Sequence, residues 1–261
     1  MSFELRDAGV VITGAGRGIG AALARKFAGE GARLVLADLD NAVESVAASL
    51  GAEAVVGDVA SEEGVTHLIE SARALLGGID MYCANAGIAP LGGEQAPEDV
   101  WAAAWDVNLM SHVRAAKLLT PQWLDRGRGH FLATVSAAGL LTSLGSAPYS
   151  VTKHGALAFA EWLLATYKHR GITVQALCPQ GVRTRMLENT GPGGQLLMAE
   201  SAVTAEHVAD VVAEALRGDQ FLILPHPEVA DYYAARATQN DRWLGGMNKL
   251  QQKVERLAPT E

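Results

Sequence analysis

Short apolar runs alternate along this chain with longer stretches of helical periodicity, and this rhythm limits the possible folds more than any other feature. The runs at 10–12, 34–36 and 221–224 are apolar at every position. Strands covered by helices on both faces have this composition, whereas in strands with one solvent-exposed face apolar and polar residues alternate. Strands joined by crossover helices run parallel. The sequence therefore predicts an α/β protein with a doubly wound parallel sheet.

We predict seven strands, at residues 9–13, 33–38, 53–58, 81–84, 130–136, 173–178 and 220–224. No Pro/Ser-rich linker or repeat interrupts them, so we expect a single domain over residues 1–261. The core is expected at 5–225, followed by a helical C-terminal extension at 226–261. This extension carries Tyr232, Tyr233, Trp243, Met247 and Leu250. Such side chains need a surface to cover, so we expect the extension to pack on a partner subunit or beside a pocket.

The composition excludes several classes of protein. Hydrophobic residues make up 49% of the 261 positions and charged residues 19%, which is typical of a globular chain. No apolar run reaches the roughly 18 residues that a membrane span needs, and no secretory signal is visible, so we expect a cytoplasmic protein. A net charge of −8 disfavours nucleic acid as a partner. Cys83 and Cys178 lie in predicted strands as core residues, and the histidines lack metal-ligand spacing, so we expect no metal.

A glycine-rich turn follows the first predicted strand and opens a helix. Gly14, Gly16, Gly18 and Gly20 leave backbone N–H groups unshielded at the helix N-terminus, where the helix dipole favours a pyrophosphate. Missing β-carbons also allow the phosphates to approach closely. The turn therefore predicts a dinucleotide site at the carboxyl end of the strand, where doubly wound sheets bind ligands.

Asp38 ends the second predicted strand, 20 residues beyond Gly18. A carboxylate at this position can accept hydrogen bonds from both hydroxyls of the adenosine ribose, and its charge would repel a 2′-phosphate. Arg17 lies within the turn and could serve either cofactor. We give Asp38 more weight, and the sequence therefore favours NAD over NADP.

A candidate proton-transfer site lies further along the chain. Tyr149 and Lys153 are four residues apart, so on a helix they share one face. A phenol is a poor base at neutral pH, but a neighbouring ammonium favours the phenolate, so we expect Lys153 to lower the pKa of Tyr149. Ser136, thirteen residues before Tyr149, supplies a hydroxyl that can hold a substrate oxygen. Together with the dinucleotide turn, these residues predict hydride chemistry.

In order and spacing these residues resemble the short-chain dehydrogenase/reductase family over roughly residues 5–225. The matching motifs are the turn Thr13-Gly14-x-x-x-Gly18-x-Gly20, Asp58-Val59, Asn85-Ala86-Gly87 and the set Asn108, Ser136, Tyr149 and Lys153. The resemblance implies a Rossmann fold, an NAD-dependent alcohol dehydrogenase or carbonyl reductase, and a homotetramer or homodimer. It also implies that Lys153 bonds the nicotinamide ribose and that Asn108 supports a water leading to Lys153.

The cofactor-binding residues predicted in this way are Gly14, Arg17, Gly18, Ile19, Gly20, Asp38, Asp58, Val59, Asn85, Ala86, Gly87, Tyr149, Lys153, Pro179, Gly181, Val182 and Thr184. One position departs from the family, which usually has Pro-Gly where this chain has Pro179-Gln180. The larger Gln180 could contact the nicotinamide or the substrate.

The predicted substrate pocket consists mainly of apolar or small side chains without a ring of basic residues, namely Ala138, Leu141, Leu144, Gln180, Met186, Leu187 and Leu197. Such a pocket favours a hydrophobic, aryl or alicyclic secondary alcohol or its ketone over a sugar phosphate. The segment 186–201 contains Gly191-Pro192-Gly193-Gly194, which suits a mobile lid.

Three alternatives stay open at this point. A reductase of 3-oxoacyl thioesters usually needs NADPH and a basic docking face, which Asp38 and the net charge of −8 oppose. A hydroxysteroid dehydrogenase differs mainly in pocket size, which the sequence does not reveal. A catalytically inactive dinucleotide-sensing protein would not need the set Asn108, Ser136, Tyr149 and Lys153.

Overall fold

The computed structural model describes residues 2–190 and 198–257. Seven parallel strands form one sheet in the order β3-β2-β1-β4-β5-β6-β7. The strands are β1 (Gly9–Thr13), β2 (Arg33–Asp38), β3 (Glu53–Val56), β4 (Met81–Ala84), β5 (Gly129–Thr134), β6 (Ile172–Leu177) and β7 (Leu222–Ile223). The predicted Rossmann-type sheet is confirmed.

Helices connect the strands and cover both faces of the sheet. The α-helices in the described residues are α1 (Gly18–Gly29), α2 (Ala42–Leu50), α3 (Glu62–Leu76), α4 (Glu98–Trp105), α5 (Ser111–Arg126), α6 (Ala137–Leu140), α7 (Ala147–Tyr167), α8 (Arg185–Glu188), α9 (Ala205–Ala215), α10 (Glu228–Thr238) and α11 (Asn240–Leu257). A π-helical turn at Asp106–Met110 joins α4 to α5, and a 3-10 turn at Lys168–Arg170 follows α7. The predicted helical C-terminal segment is confirmed as α10 and α11.

Two apolar cores lie on opposite faces of the sheet, because successive strand residues point to opposite sides. Val11 of β1 packs with buried residues of α3, α5 and α7. Its neighbours Val10 and Ile12 pack with α1, α2 and α9. Continuous burial of the five residues of β1 explains why its sequence is apolar throughout rather than alternating.

All seven predicted strands exist, but several ends were placed wrongly. The edge strand β3 stops at Val56 instead of residue 58, and its four residues are exposed or only half-buried. At the other edge, β7 is two residues long. Strand β5 ends at Thr134, so Ser136 lies in the loop beyond it. Edge strands have one neighbour, so apolar composition alone overestimates how far their pairing extends.

The order of the strands reverses between β1 and β4, which lie side by side although two strands separate them in the chain. The connection after β1 leads outward to β2, whereas the one after β4 leads to β5 on the opposite side. Two loops that diverge in this way leave a crevice at the carboxyl ends of the strands. The predicted functional residues should therefore be sought there.

Both cysteines are buried free thiols. Burial raises the pKa of each thiol, that of Cys178 to about 12. Within residues 2–190 and 198–257, no group of three or more His, Cys, Asp or Glu side chains is arranged so that it could hold a metal ion. None of the helices in those ranges combines the length and the apolar character needed to cross a membrane.

Candidate active site

A hydrogen-bond network joins the ends of three strands at the crevice. The hydroxyl of Thr13 accepts from the backbone N–H groups of Asn85 and Ala86, at 2.9 and 3.0 Å. The side-chain amide of Asn85 donates to the carbonyl oxygen of Thr13 at 2.9 Å, and its carbonyl accepts from the Thr134 hydroxyl at 3.2 Å. Asn85 therefore fixes the loop after β4 against both β1 and β5.

The glycine-rich turn has the conformation that its sequence predicts. Gly14 and Gly18 have φ angles of 64° and 54°, a region that L side chains rarely adopt. Helix α1 begins at Gly18 without a side-chain cap and without an acidic residue in its first turn. Its first N–H groups are thus left for an anionic ligand. A β-carbon on Gly18 would lie 3.2 Å from Thr184 Cγ2, which brings the loop after β6 over the same turn.

Gly20 does not line the cleft but is needed for close packing behind it. A β-carbon there would overlap the carbonyl oxygen of Gly14 and lie 2.7 Å from Asn85 Nδ2. We expect Gly20→Ala to lower the free energy of unfolding by about 1–3 kcal/mol, the usual cost of overpacking. Gly29→Ala in the same helix is the control, because a β-carbon there meets no atom within 4 Å. Thermal unfolding measures both, and equal melting temperatures would contradict the packing role of Gly20.

Asp38 lies at the end of β2 and is 8% exposed. One carboxylate oxygen accepts from the backbone N–H of Gly16 at 2.9 Å, and the other from that of Asp40 at 3.0 Å. Each oxygen retains a second lone pair, so the group can still accept bonds from a diol. The guanidinium of Arg17 pairs with Asp40 at 3.4 Å. The carboxylate of Asp38 therefore faces the cleft without a cationic partner among the described residues.

Ser136 lies between β5 and α6, and its hydroxyl forms hydrogen bonds to α6 and to the loop after β6. It caps α6 by accepting from the Ala138 N–H at 3.0 Å, and it donates to the carbonyl oxygen of Pro179 at 3.4 Å. The side chain is buried, with 7% exposure, yet belongs to the wall of the cleft. The cap holds the oxygen of Ser136 in place at the cleft surface.

Tyr149 and Lys153 share one face of α7, as their spacing predicts. The ammonium of Lys153 lies 5.7 Å from the centroid of the Tyr149 ring and donates to the Thr134 carbonyl oxygen at 2.8 Å. Lys153 is 2% exposed, and its burial lowers its pKa to about 8. Both residues line the same cleft as Ser136.

The pKa of Tyr149 differs from the sequence-based expectation. Burial raises this pKa, the Ser136 hydroxyl acts in the opposite direction, and Cys178 adds a further upward effect. The predicted net lowering by Lys153 is therefore wrong for this arrangement, because desolvation of the phenol outweighs the favourable contacts of a phenolate. At neutral pH the phenol is protonated.

Asn108 lies behind the cleft rather than in its wall. It belongs to the π-helical turn, is fully buried, and exchanges two 2.9 Å hydrogen bonds with the backbone of Ile88. Its amide also donates to the Thr152 hydroxyl at 3.1 Å. Asn108 thus ties the loop after β4 to helix α7, one residue before Lys153.

One cleft of about 1690 Å³ brings together most of the predicted residues. Of the predicted cofactor-binding and catalytic residues, it contains Gly14, Arg17, Gly18, Ile19, Asp38, Asp58, Val59, Asn85, Ala86, Gly87, Ser136, Tyr149, Lys153, Pro179, Gly181, Val182 and Thr184. Of the predicted substrate residues, it contains Ala138, Leu141, Leu144, Gln180, Met186 and Leu187. Leu197 and residues 191–196 of the predicted lid at 186–201 lie outside the described residues.

The C-terminal helices contribute residues that the predicted site did not include. Tyr232, Ala235, Gln239, Arg242, Trp243, Gly246, Met247 and Leu250 line the cleft. The expectation that the extension packs beside a pocket is confirmed. Aromatic side chains in this segment were the available signal, but local sequence does not show which surface they cover.

Gln180 occupies the position where the family usually has glycine. Its backbone N–H donates to His226 Nδ1 at 3.1 Å, which holds the loop after β6 against the segment after β7. Its side-chain carbonyl oxygen is buried and has no hydrogen-bond partner within the described part of the chain. An unpaired buried acceptor beside the cleft can take a hydrogen bond from a ligand.

The seven-stranded parallel sheet, with its glycine-rich turn at the point of strand reversal, places the chain among the Rossmann-like α/β proteins. The family model described as short chain dehydrogenase matches residues 8–194. The chain belongs to this family, and it is accordingly an oxidoreductase.

Two relatives in sequence and one solved structure illustrate the similarity. The 1-deoxy-11-beta-hydroxypentalenate dehydrogenase of Streptomyces exfoliatus is 36% identical over 236 residues, which cover 86% of this chain and 85% of the relative. The (-)-trans-carveol dehydrogenase of Rhodococcus erythropolis is 34% identical over 203 residues, covering 69% and 73%. A short chain dehydrogenase/reductase from Burkholderia phymatum, solved in complex with NAD, has a TM-score of 0.83 at 27% identity, covering 92% and 96%.

Proposed function

We propose that this protein interconverts a hydrophobic secondary alcohol, aryl or alicyclic, and its ketone with NAD as the cofactor. The observation that carries the proposal is the convergence of Ser136, Tyr149 and Lys153 in one cleft with the glycine-rich turn and Asp38. A hydroxyl, a phenol and an ammonium at one end of a dinucleotide-sized cleft are the groups that proton-coupled hydride transfer needs.

The residues at the crevice fit an NAD molecule. The uncapped N-terminus of α1 and the positive φ angles of Gly14 and Gly18 suit a pyrophosphate, and Asp38 suits the two ribose hydroxyls. An NADP phosphate would meet the Asp38 carboxylate. Arg17, the basic residue of the glycine-rich turn, pairs with Asp40 instead of Asp38. The similar structure from Burkholderia phymatum binds NAD, which supports the same assignment here.

The chemistry divides between the cofactor and the protein. When bound, the nicotinamide accepts a hydride from the carbinol carbon or returns it to the ketone. Ser136 holds the substrate oxygen, and Tyr149 takes the hydroxyl proton during oxidation or supplies it during reduction. Lys153 binds the nicotinamide ribose and keeps a positive charge near Tyr149. Asn108 positions Lys153 through its bonds to Ile88 and Thr152.

The substrate end of the cleft supports an apolar substrate. Side chains of Leu141, Leu144, Met186 and Leu187 line it, and the C-terminal helices add aromatic and thioether surface. Burial of hydrocarbon against such a surface contributes about 25 cal/mol of binding free energy per Å². A sugar or a phosphate finds few hydrogen-bonding partners there. Two relatives are named for a hydroxypentalenate and for trans-carveol, both hydroxylated compounds.

A screen of alcohols tests this proposal. The purified protein is mixed with NAD or NADP and with matched aryl alcohols, alicyclic alcohols, polyols and sugar phosphates, and reduced nicotinamide is followed by absorbance. We expect turnover with NAD and the highest kcat/KM for an aryl or alicyclic secondary alcohol. Faster turnover of a sugar than of every apolar alcohol would overturn the substrate assignment.

The rate should depend on pH in opposite ways for the two directions. The raised pKa of Tyr149 leaves the phenol protonated at neutral pH. Oxidation needs the phenolate as base, so its kcat/KM should rise by up to about tenfold per pH unit above pH 6. Deprotonation of Lys153, whose pKa is about 8, should then level this rise.

Reduction of the ketone uses the protonated phenol, so its kcat/KM should stay level near neutrality and fall in alkali. Initial rates in both directions across the pH range, with both substrates below KM, measure these profiles. An oxidation rate that falls steadily with rising pH would exclude Tyr149 as the base.

A further inference from the structure

Helices α10 and α11 present one face to the cleft. In α11 the cleft-lining residues Trp243, Met247 and Leu250 recur at intervals of three or four, so they form a single stripe. Leu244, next to Trp243 in the chain, lies off this stripe and is 59% exposed. Tyr232 of α10 lines the same cleft. These two helices are therefore a wall of the cavity that also contains Ser136 and Tyr149.

Among the described residues, the side-chain hydrogen bonds that join this wall to the rest of the protein come from one guanidinium group. Arg236 of α10 donates through Nη1 to the carbonyl oxygen of Leu140 and, at 2.8 Å, to His154 Nε2. In the described ranges, the other side-chain hydrogen bonds of α10 and α11 have both partners within residues 228–257. Apolar packing also attaches the wall: Val229 of α10 is fully buried in the core, and Tyr233 and Trp243 pack against that core.

The ring of His154 is oriented to receive this bond. His154 Nδ1 lies 2.8 Å from the carbonyl oxygen of Ser150, which can only accept, so the ring proton is on Nδ1. Nε2 then carries a lone pair, which points at the guanidinium of Arg236. The contact is a charge-assisted hydrogen bond from the guanidinium to a neutral imidazole. The hydrogen bond from His154 Nδ1 to the carbonyl oxygen of Ser150 fixes the orientation of that ring.

Both acceptors belong to segments that carry candidate catalytic residues. Leu140 ends α6, the short helix that Ser136 caps. His154 follows Lys153 directly in α7. Arg236 therefore fixes the position of the wall relative to α6 and α7, the two helices that carry Ser136 at the cap and Tyr149.

We propose that Arg236 is a positioning residue that fixes helices α10 and α11 as the outer wall of the substrate site, and that this wall sets selectivity for bulky alcohols. The inference rests on the proposed function. A bulky substrate held at Ser136 reaches the stripe of Trp243, Met247 and Leu250 and gains buried surface there. We expect a small alcohol to bind at Ser136 and Tyr149 without contact with that stripe, so displacement of the wall should leave its turnover unchanged.

The test compares Arg236→Ala with Arg256→Ala, which removes the same charge from α11 but loses only a bond to Gln252 in its own helix. With NAD, we expect Arg236→Ala to raise KM for 1-(2-naphthyl)ethanol by roughly tenfold, because the variant loses both hydrogen bonds that hold the wall and with them part of the substrate's contact with that wall. The kcat for this alcohol, the kcat/KM for 2-propanol and NADH affinity should stay within about twofold of the wild type. Arg236→Lys, which keeps a donor, should restore part of the KM.

Hydrogen–deuterium exchange gives a second measurement that needs no substrate. Exchange in residues 228–257 should be faster in Arg236→Ala than in wild type or in Arg256→Ala. Equal exchange in the two variants, or equal loss of kcat/KM for both alcohols, would overturn the positioning role. If neither alcohol is oxidised by the wild type, the proposed function is in doubt, while the exchange result still decides whether Arg236 holds the wall.

Discussion

Replacing Tyr149 by Phe should lower turnover by about 10²-fold or more in both directions, because the substitution removes the group that carries the proton while keeping the ring. The affinity for NADH should change little, since the glycine-rich turn and Asp38 remain intact. Turnover is measured at saturating cofactor and substrate, and NADH affinity by fluorescence titration.

Tyr167→Phe is the matched control, because Tyr167 is the last residue of helix α7, which carries Tyr149 in its first turn. We expect near-normal turnover for this variant, because its lost hydroxyl lies about five helical turns from Tyr149. If Tyr149→Phe also kept near-normal turnover, the proposed proton transfer would be wrong, whatever the cofactor.

Asp38→Ala should change the choice of cofactor. The variant loses the acceptor for the ribose hydroxyls and the negative charge that opposes a 2′-phosphate, and both losses act in the same direction. We expect the ratio of kcat/KM with NAD to that with NADP to fall by roughly 10²-fold, as befits the loss of hydrogen bonds to a charged group. Steady-state kinetics with both cofactors measures this ratio.

Asp40→Ala serves as the comparison, because Asp40 lies two residues away and pairs with Arg17 at the surface. Removing Asp40 frees the guanidinium of Arg17 but leaves the Asp38 carboxylate in place, so NAD should remain preferred. If the ratio of kcat/KM with NAD to that with NADP were unchanged in Asp38→Ala but inverted in Asp40→Ala, Arg17 and not Asp38 would determine the cofactor preference.

The fold could be predicted because its elements leave local marks in the sequence. Continuous burial makes strands such as β1 apolar throughout, and parallel pairing follows from the helices between them. The ends of the strands could not be predicted equally well. Pairing of β3 and β7 with a single neighbour depends on the rest of the sheet, and local composition does not record it.

The candidate site could be predicted where residue type and spacing carry the chemistry. The turn from Gly14 to Gly20, Asp38 and the pair Tyr149 and Lys153 converge as expected, because each follows a strand or shares a helix face. Gly20, predicted to bind the cofactor, and Asn108, predicted to be catalytic, both lie behind the cleft, where Gly20 allows close packing and Asn108 forms hydrogen bonds.

Two features of the site depend on tertiary contacts that no local pattern reveals. Arg236 forms hydrogen bonds with Leu140 and His154, which are 96 and 82 residues away in the sequence. Neither partner belongs to a sequence motif that would predict the contact. The pKa of Tyr149 was expected to fall because Lys153 is close in sequence, whereas desolvation of the phenol, which raises this pKa, depends on the surrounding fold.

Transfer of an isotopic label tests the central claim most directly. The alcohol that the protein oxidises fastest is prepared with deuterium at its carbinol carbon and incubated with the protein and NAD, and the reduced cofactor is analysed by mass spectrometry. The proposed function predicts that the NADH carries one deuterium, taken from that carbon, and that Tyr149→Phe forms it at a small fraction of the rate. NADH without the label, or no reduced cofactor with any alcohol, would contradict it.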